Sequence, residues 1–151
     1  MPRIELEMHV QAPPEACYAL ALNVQAHLES AQQTGEKVIA GPAAAQLQLG
    51  DVVTWEGRHF GIRQHLTVRI TATSAPHHFR DELVRGAFRT LWHDHYFEAT
   101  PTGTRVRDVF DFSSPAGIIG QCFNRLFLTR YLTKFLQARN AILKQQLENK
   151  H

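Results

Sequence analysis

Residues 90–113 read TLWHDHYFEATPTGTRVRDVFDFS, and this stretch decides the fold. Two runs rich in aromatic and β-branched residues flank a break holding Pro101 and Gly103, the pattern of an antiparallel hairpin. Facing residues in a hairpin keep a constant sum of residue numbers, and a sum of 203 sets Glu98 against Arg105 on one face. On the other face it sets Phe97 against Val106, His95 against Asp108, His93 against Phe110 and Leu91 against Phe112. Opposite charges meet outside and mostly apolar groups meet inside, as a half-buried sheet requires.

The same alternation extends toward the N-terminus. From residue 51 to 113 strand follows strand, with breaks expected at 57–61, 73–77, 85–87 and 99–103, each carrying Gly or Pro. For the hairpin around 59–60 a sum of 119 is expected, pairing Glu56 with Arg63 outside, and Val53 with Leu66 and Gly57 with Ile62 inside. The chain opens on another strand, with Ile4, Leu6, Met8 and Val10 on one face and Arg3, Glu5, Glu7 and His9 on the other. Pro13-Pro14 ends it and opens a region, 15–33, rich in Ala, Leu and Gln, which fits one helix or two short ones stopped by Gly35. A short strand over 36–40 follows, broken by Gly41-Pro42. Ser113-Ser114-Pro115 offers helix caps, and 118–147 reads as one long helix. The order is therefore one strand, short helical structure, six strands and a long helix.

Composition fits such a domain. The chain has 151 residues, 44% hydrophobic and 20% charged, enough to bury a single core and too apolar for a disordered chain. We expect one domain over 1–148 and a short tail at 149–151. Sixteen Lys and Arg against fourteen Asp and Glu leave +2, and no basic block marks a nucleic-acid tract. Charge breaks every apolar stretch before the length of about 18 residues that a membrane span needs. The start MPRIELEMHV lacks the apolar core of a signal peptide. Cys17 and Cys122 lie in helix-like apolar patterns and read as reduced, buried thiols of a cytoplasmic protein.

The register places Val53, Trp55, Ile62, Leu66, Val68, Ile70, Phe79, Leu83, Leu91, Phe97, Val106, Phe110 and Phe112 inside. By the same parity Gln64, Asp81, His93, His95 and Asp108 also point inward. Each would cost about 1–3 kcal/mol if buried without a partner. These five polar groups either satisfy one another or face a wet cavity.

The runs GDVVTWEG (50–57), FGIRQ (60–64), HDHYFE (93–98) and GTRVRD (103–108), with SPAG (114–117) before the long helix, resemble the bacterial ligand-binding SRPBCC proteins. This is the START-like, Bet v 1-like superfamily that includes polyketide cyclases/dehydratases, and the resemblance covers essentially the whole chain. It implies an α+β helix-grip fold: a curved seven-stranded antiparallel sheet around a long C-terminal helix, with two short helices after the first strand. It also implies an apolar cavity between sheet and helix, and no cofactor. Fold alone does not assign chemistry.

Within that cavity the candidate acid/base group is His95 with Asp108 as its orienting carboxylate, and His93 beside them. The alternative is a satisfied polar patch that holds strand register. His93, His95 and Asp108 also make a two-His, one-carboxylate set, but the resemblance brings no metal and none is expected. His59, His77 and His78 fall in expected turns and should be exposed. Trp55, Phe79, Phe110 and Phe112 are candidate ligand-lining residues, with Leu66, Leu91, Phe123 and Phe127 extending the lining. Gln64 and Asp81 could orient a ligand by hydrogen bonds, although a slip at the 85–87 turn would turn Asp81 outward.

The long helix shows a broad apolar face through Ile119, Phe123, Leu126, Phe127, Leu132, Leu136 and Leu143, with basic gaps at Arg130, Lys134 and Arg139, expected to face the sheet rather than a membrane surface. Trp92 and Tyr96 point outward and hint at a homodimer or partner surface. The usual nucleophile, phosphate-cradling and metal motifs are absent, and Cys17 has no visible base partner. The reading is a protein that binds a small hydrophobic or lipid-like molecule, with no nucleic-acid partner and no stable membrane insertion. The alternatives are a cyclase/dehydratase-like enzyme using His93, His95 and Asp108, and an interaction module using the outer sheet face.

Overall fold

The computed structural model describes residues 2–31, 35–42, 45–59, 61–113 and 127–149. Strand β1 (Arg3–Val10) leads into helices α1 (Pro14–Ala21) and α2 (Val24–Ser30). Strands β2 (Lys37–Ala40), β3 (Val52–His59), β4 (Ile62–Ser74), β5 (His78–Gly86), β6 (Thr90–Thr100) and β7 (Gly103–Ser113) follow, and α3 (Thr129–Glu148) closes the chain. The seven strands form one antiparallel sheet in the order β1-β7-β6-β5-β4-β3-β2. This is the expected curved sheet gripping a C-terminal helix. Bulges in β2, at Thr71 of β4 and at Val84 of β5 add local twist, which bends the sheet around α3. No described helix is long and apolar enough to cross a membrane.

Local chemistry explains the helical region. Pro14 occupies the first turn of α1, where its missing N–H costs nothing. Asn23 then splits the region in two, because its side chain accepts a hydrogen bond from the Ala26 amide (2.9 Å) and caps α2.

The last hairpin has the expected register, with Glu98 opposite Arg105 and His95 opposite Asp108. The β3–β4 hairpin is displaced. Glu56 faces His65, and Trp55, not Val53, faces Leu66, because the chain reverses after His59 with Gly61 at φ +72°. A shift of two residues keeps every side chain on its expected face. Arg63 still reaches Glu56 diagonally, Nη1 to Oε1 at 2.6 Å. The break expected at 85–87 lies later, since β5 continues through Arg85 and Gly86. Ile62 has inward parity yet is 62% exposed, because it sits at the tip of its hairpin.

The core has two parts. Val10, Tyr18, Val53, Trp55, Phe79, Phe97 and Leu147 build one, and Ile4, Leu91, Phe110, Phe112, Leu132 and Leu136 build the other. Inward positions along β6 run Leu91, His93, His95, Phe97, so the histidines fall between the two apolar clusters. On α3 the buried residues are Leu132, Leu136, Asn140 and Leu147. Arg130 and Lys134, the basic gaps in that face, are exposed, because a stripe repeating every three to four residues through 132, 136, 140 and 147 leaves them on the far side. The expected helix start at 118, with Ile119, Phe123, Leu126, the caps at 114–115 and Cys122, lies outside the described residues; Cys17 is buried.

On the outer face Trp92 donates its Nε1–H to Glu82 (2.6 Å), and Tyr96 lies under the Arg107 guanidinium. Both aromatics are half-buried by neighbours of their own chain. His78, expected to be exposed, is half-buried against Asp94, as is Arg80.

Gly103 opens β7 at φ +153°, and a Cβ there would run into the Val10 carbonyl of β1. Gly103→Ala is therefore expected to lower stability by about 1–3 kcal/mol, seen as a lower urea midpoint with an unchanged slope.

Candidate functional site

Between the concave sheet and α3 lies a cavity of about 200 Å³. Trp55, Leu66, Phe79, Leu91 and Phe110 line it, and so do Gln64 and Asp81. From α3 it meets Tyr131, Phe135, Leu136, Arg139 and Asn140. Phe112 does not border it; the ring is fully buried in the wall, edge-on to Phe88. Phe127 is 52% exposed and stays off the cavity, since it precedes the part of α3 that lies against the sheet. Phe123 falls outside the described residues.

Four of the five inward polar groups come together on the cavity wall. Cross-strand pairing puts Phe79, His95 and Asp108 in one row of β5, β6 and β7, and Asp81, His93 and Phe110 in the next. The result is a checkerboard in which each imidazole has a phenyl ring on one side and a carboxylate on the other. His95 donates from Nε2 to Asp81 Oδ2 (3.0 Å), and its Nδ1 lies 3.1 Å from Asp108 Oδ1 as an ion pair. His93 donates from Nε2 to Asp108 Oδ1 (3.1 Å). The Phe79 and His95 rings stack at 4.1 Å, the His95 and His93 rings at 3.8 Å. Gln64 stands apart, its amide reaching only the His59 carbonyl (3.4 Å).

The bonding dictates the charges. Both ring nitrogens of His95 face carboxylate oxygens, which only accept, so His95 carries two protons and a positive charge. Burial pushes its pKa down, but Asp108 and Asp81 outweigh burial and the net shift is upward. Burial lowers His93, and the charge on His95 lowers it further, so His93 is neutral with its lone pair on Nδ1. Burial would raise Asp108, yet the bonds from His93 and His95 hold it well below the usual carboxylate range. Asp81 is likewise held down against burial, by its bond to His95 and by the charges of His95 and Arg139.

Sequence reasoning missed the helix side of this site. Asn140 donates from Nδ2 to Asp108 Oδ2 (2.7 Å), the oxygen that neither histidine meets. The signal was available: Asn140 follows Leu136 by four residues and precedes Leu147 by seven, a polar residue on an apolar stripe. Also missed was His27 of α2, which stacks on Trp55 at 3.9 Å with Glu36 3.7 Å away. His59, expected to be exposed, is half-buried and bonded through Nδ1 to the Tyr131 hydroxyl (2.7 Å). Its strand extends further than the glycines suggested, and α3 covers the end. Among the described residues Asp81, His93 and His95 also form a set of metal-capable groups, with one donor atom each, all within 4.8 Å of one another.

Two outcomes are expected. Asn140→Ala leaves a buried carboxylate one donor short and should cost about 1–3 kcal/mol in urea denaturation. Burial lowers the His27 pKa, offset only in part by Glu36. Below about pH 6.5 the unfolded chain binds a proton there that the folded chain resists, so stability falls with pH, while above that range His27 contributes no dependence. His27→Phe keeps the stack on Trp55 and should flatten the acid side of the profile by up to about 1.4 kcal/mol per pH unit.

Solved structures share this architecture. A crystal structure of a Thermus thermophilus protein has a TM-score of 0.79 at 17% identity, covering 97% of both chains. The major latex-like protein 151 of ginseng, Panax ginseng, has a TM-score of 0.71 at 13% identity, again covering 97% of each chain. A START superfamily protein of Mycobacterium smegmatis has a TM-score of 0.75 at 10% identity over 99% of both chains. At such identities the likeness concerns the fold alone. No curated protein matches the chain in sequence. A family model described as polyketide cyclase / dehydrase and lipid transport matches residues 1–148. The chain belongs to that family.

Proposed function

We propose that the protein binds a small, mostly apolar molecule in the cavity between sheet and α3, with one polar group of that molecule turned toward the His93, His95, Asp81 and Asp108 wall. The observation that carries this reading is the cavity itself, lined by Trp55, Leu66, Phe110 and Leu136 and bordered by that polar group, with His27, Glu36, His59 and Arg139 elsewhere on its wall. Apolar walls supply affinity through removal of surface from water, and a few convergent polar groups supply orientation. The match to a family that covers both lipid transport and polyketide cyclisation supports a ligand of this class. One arrangement favours a second reading, proton transfer on a bound carbonyl: His95 is oriented through both ring nitrogens on the cavity wall.

A fluorescent apolar probe tests the first reading and, with a turnover assay, separates the two. The probe is expected to bind one per chain. Leu136→Trp, which fills the cavity, should weaken it more than about tenfold while the far-ultraviolet circular dichroism stays native. Unchanged probe affinity in that variant would remove the cavity as the site. For proton transfer, His95→Gln should cut turnover of a carbonyl substrate by about 10²–10⁴-fold with affinity kept within a few-fold.

A further inference from the structure

We propose that Asp81, His93 and His95 form a binding site for a divalent first-row transition ion of the zinc type, placed on the polar part of the cavity wall. Three donor atoms, one from each residue, lie within 4.8 Å of one another on two adjacent strands. His93 and His95 are two apart on β6 and share its inner face, and Asp81 stands directly opposite His93 on β5. Two imidazoles and one carboxylate select a borderline ion such as Zn²⁺ over Mg²⁺ or Ca²⁺, which prefer all-oxygen surroundings.

The spacing suits the exchange of a proton for an ion. His95 Nε2 and Asp81 Oδ2 are 3.0 Å apart across a shared proton. Two bonds of about 2.05 Å to a tetrahedral ion span about 3.3 Å, so these ligands need to part by only a few tenths of an ångström. His93 swings about its side-chain torsions toward the ion and gives up its bond to Asp108.

The surroundings are those of a supported metal ligand. The other nitrogen of His95 lies 3.1 Å from an Asp108 oxygen, the placement in which a carboxylate fixes the ring orientation of a ligating imidazole. Asp108 is in turn held by Asn140 from α3. Three protein ligands leave a coordination position open, and all three residues border the cavity. A water molecule or an oxygen atom of the cavity occupant would fill it.

The test uses chelator-stripped full-length protein titrated with Zn²⁺ in a calorimeter, in two buffers of different ionisation enthalpy. One ion per chain and release of about one proton are expected, since the ion displaces the proton between His95 and Asp81. Co²⁺ should give the visible absorption of a four- or five-coordinate site, abolished by Zn²⁺. Asp81→Asn and His95→Gln should each weaken Zn²⁺ at least tenfold, and Asp108→Asn about 10–100-fold through ring orientation. The outer-face changes His65→Ala and His78→Ala should leave the affinity unchanged. If Asp81→Asn unfolds, imidazole ¹⁵N shifts of the unaltered protein decide the matter, because Zn²⁺ must move the His93 and His95 resonances. Absence of binding, binding lost through His65 or His78, or binding without movement of those resonances overturns the site. No apolar probe enters these measurements, so they stand apart from the test of ligand binding.

Discussion

A carboxylate buried among aromatic rings has to be satisfied on every side, and around Asp108 this requirement ties the sheet to the helix. Its two oxygens accept from His93 and His95 on the neighbouring strand and from Asn140 on α3. Each donor is itself committed: His95 also holds Asp81, and Asn140 fixes the rotation of α3 over the sheet. An ion group of this kind stabilises little net of its desolvation, but removing one member leaves a charge uncompensated. Its effect is on geometry. Only one pairing of β5, β6 and β7, and one rotation of α3, lets all the partners meet.

The two apolar clusters on either side gain from that arrangement. They grip the ends of α3, through Leu147 at one end and Leu132 and Leu136 at the other. Between them the sheet curves away from the helix, and a curved surface around one cylinder encloses space that side chains do not fill. The polar group lies on the wall of this space, where an enclosed, low-dielectric setting strengthens each hydrogen bond it makes or offers. Cavity, wall charge and helix position are thus consequences of one packing problem.

Much of this was readable from residue order. The alternation of residues 90–113 with its turn at 101–102 set the β6–β7 register, and with it the meeting of His95 and Asp108. Opposite charges at 98 and 105 could face one another in few other ways. Less was readable where a turn has no unique chemistry. Glycines at 57 and 61 both offered to reverse the chain, and the later one does so, which shifted the β3–β4 partners while leaving the faces intact. At β5 the doubt over Asp81 was a parity question that local sequence does not answer. The bulge at Val84 in β5 answered it, by bringing Leu83 and Asp81 opposite Val68 and Ile70.

By itself the sequence determined which faces of the strands are apolar, which polar residues interrupt them, and the order of strands and helices, because side-chain alternation is a local property with a period of two. Only the tertiary structure decided that Asp81 joins His95, that Asn140 reaches Asp108, and that Phe112 and Phe127 stay off the cavity. Those facts depend on how far the sheet bends and how α3 is rotated above it. Bend and rotation are set by packing between segments far apart in the chain, and no single segment carries them.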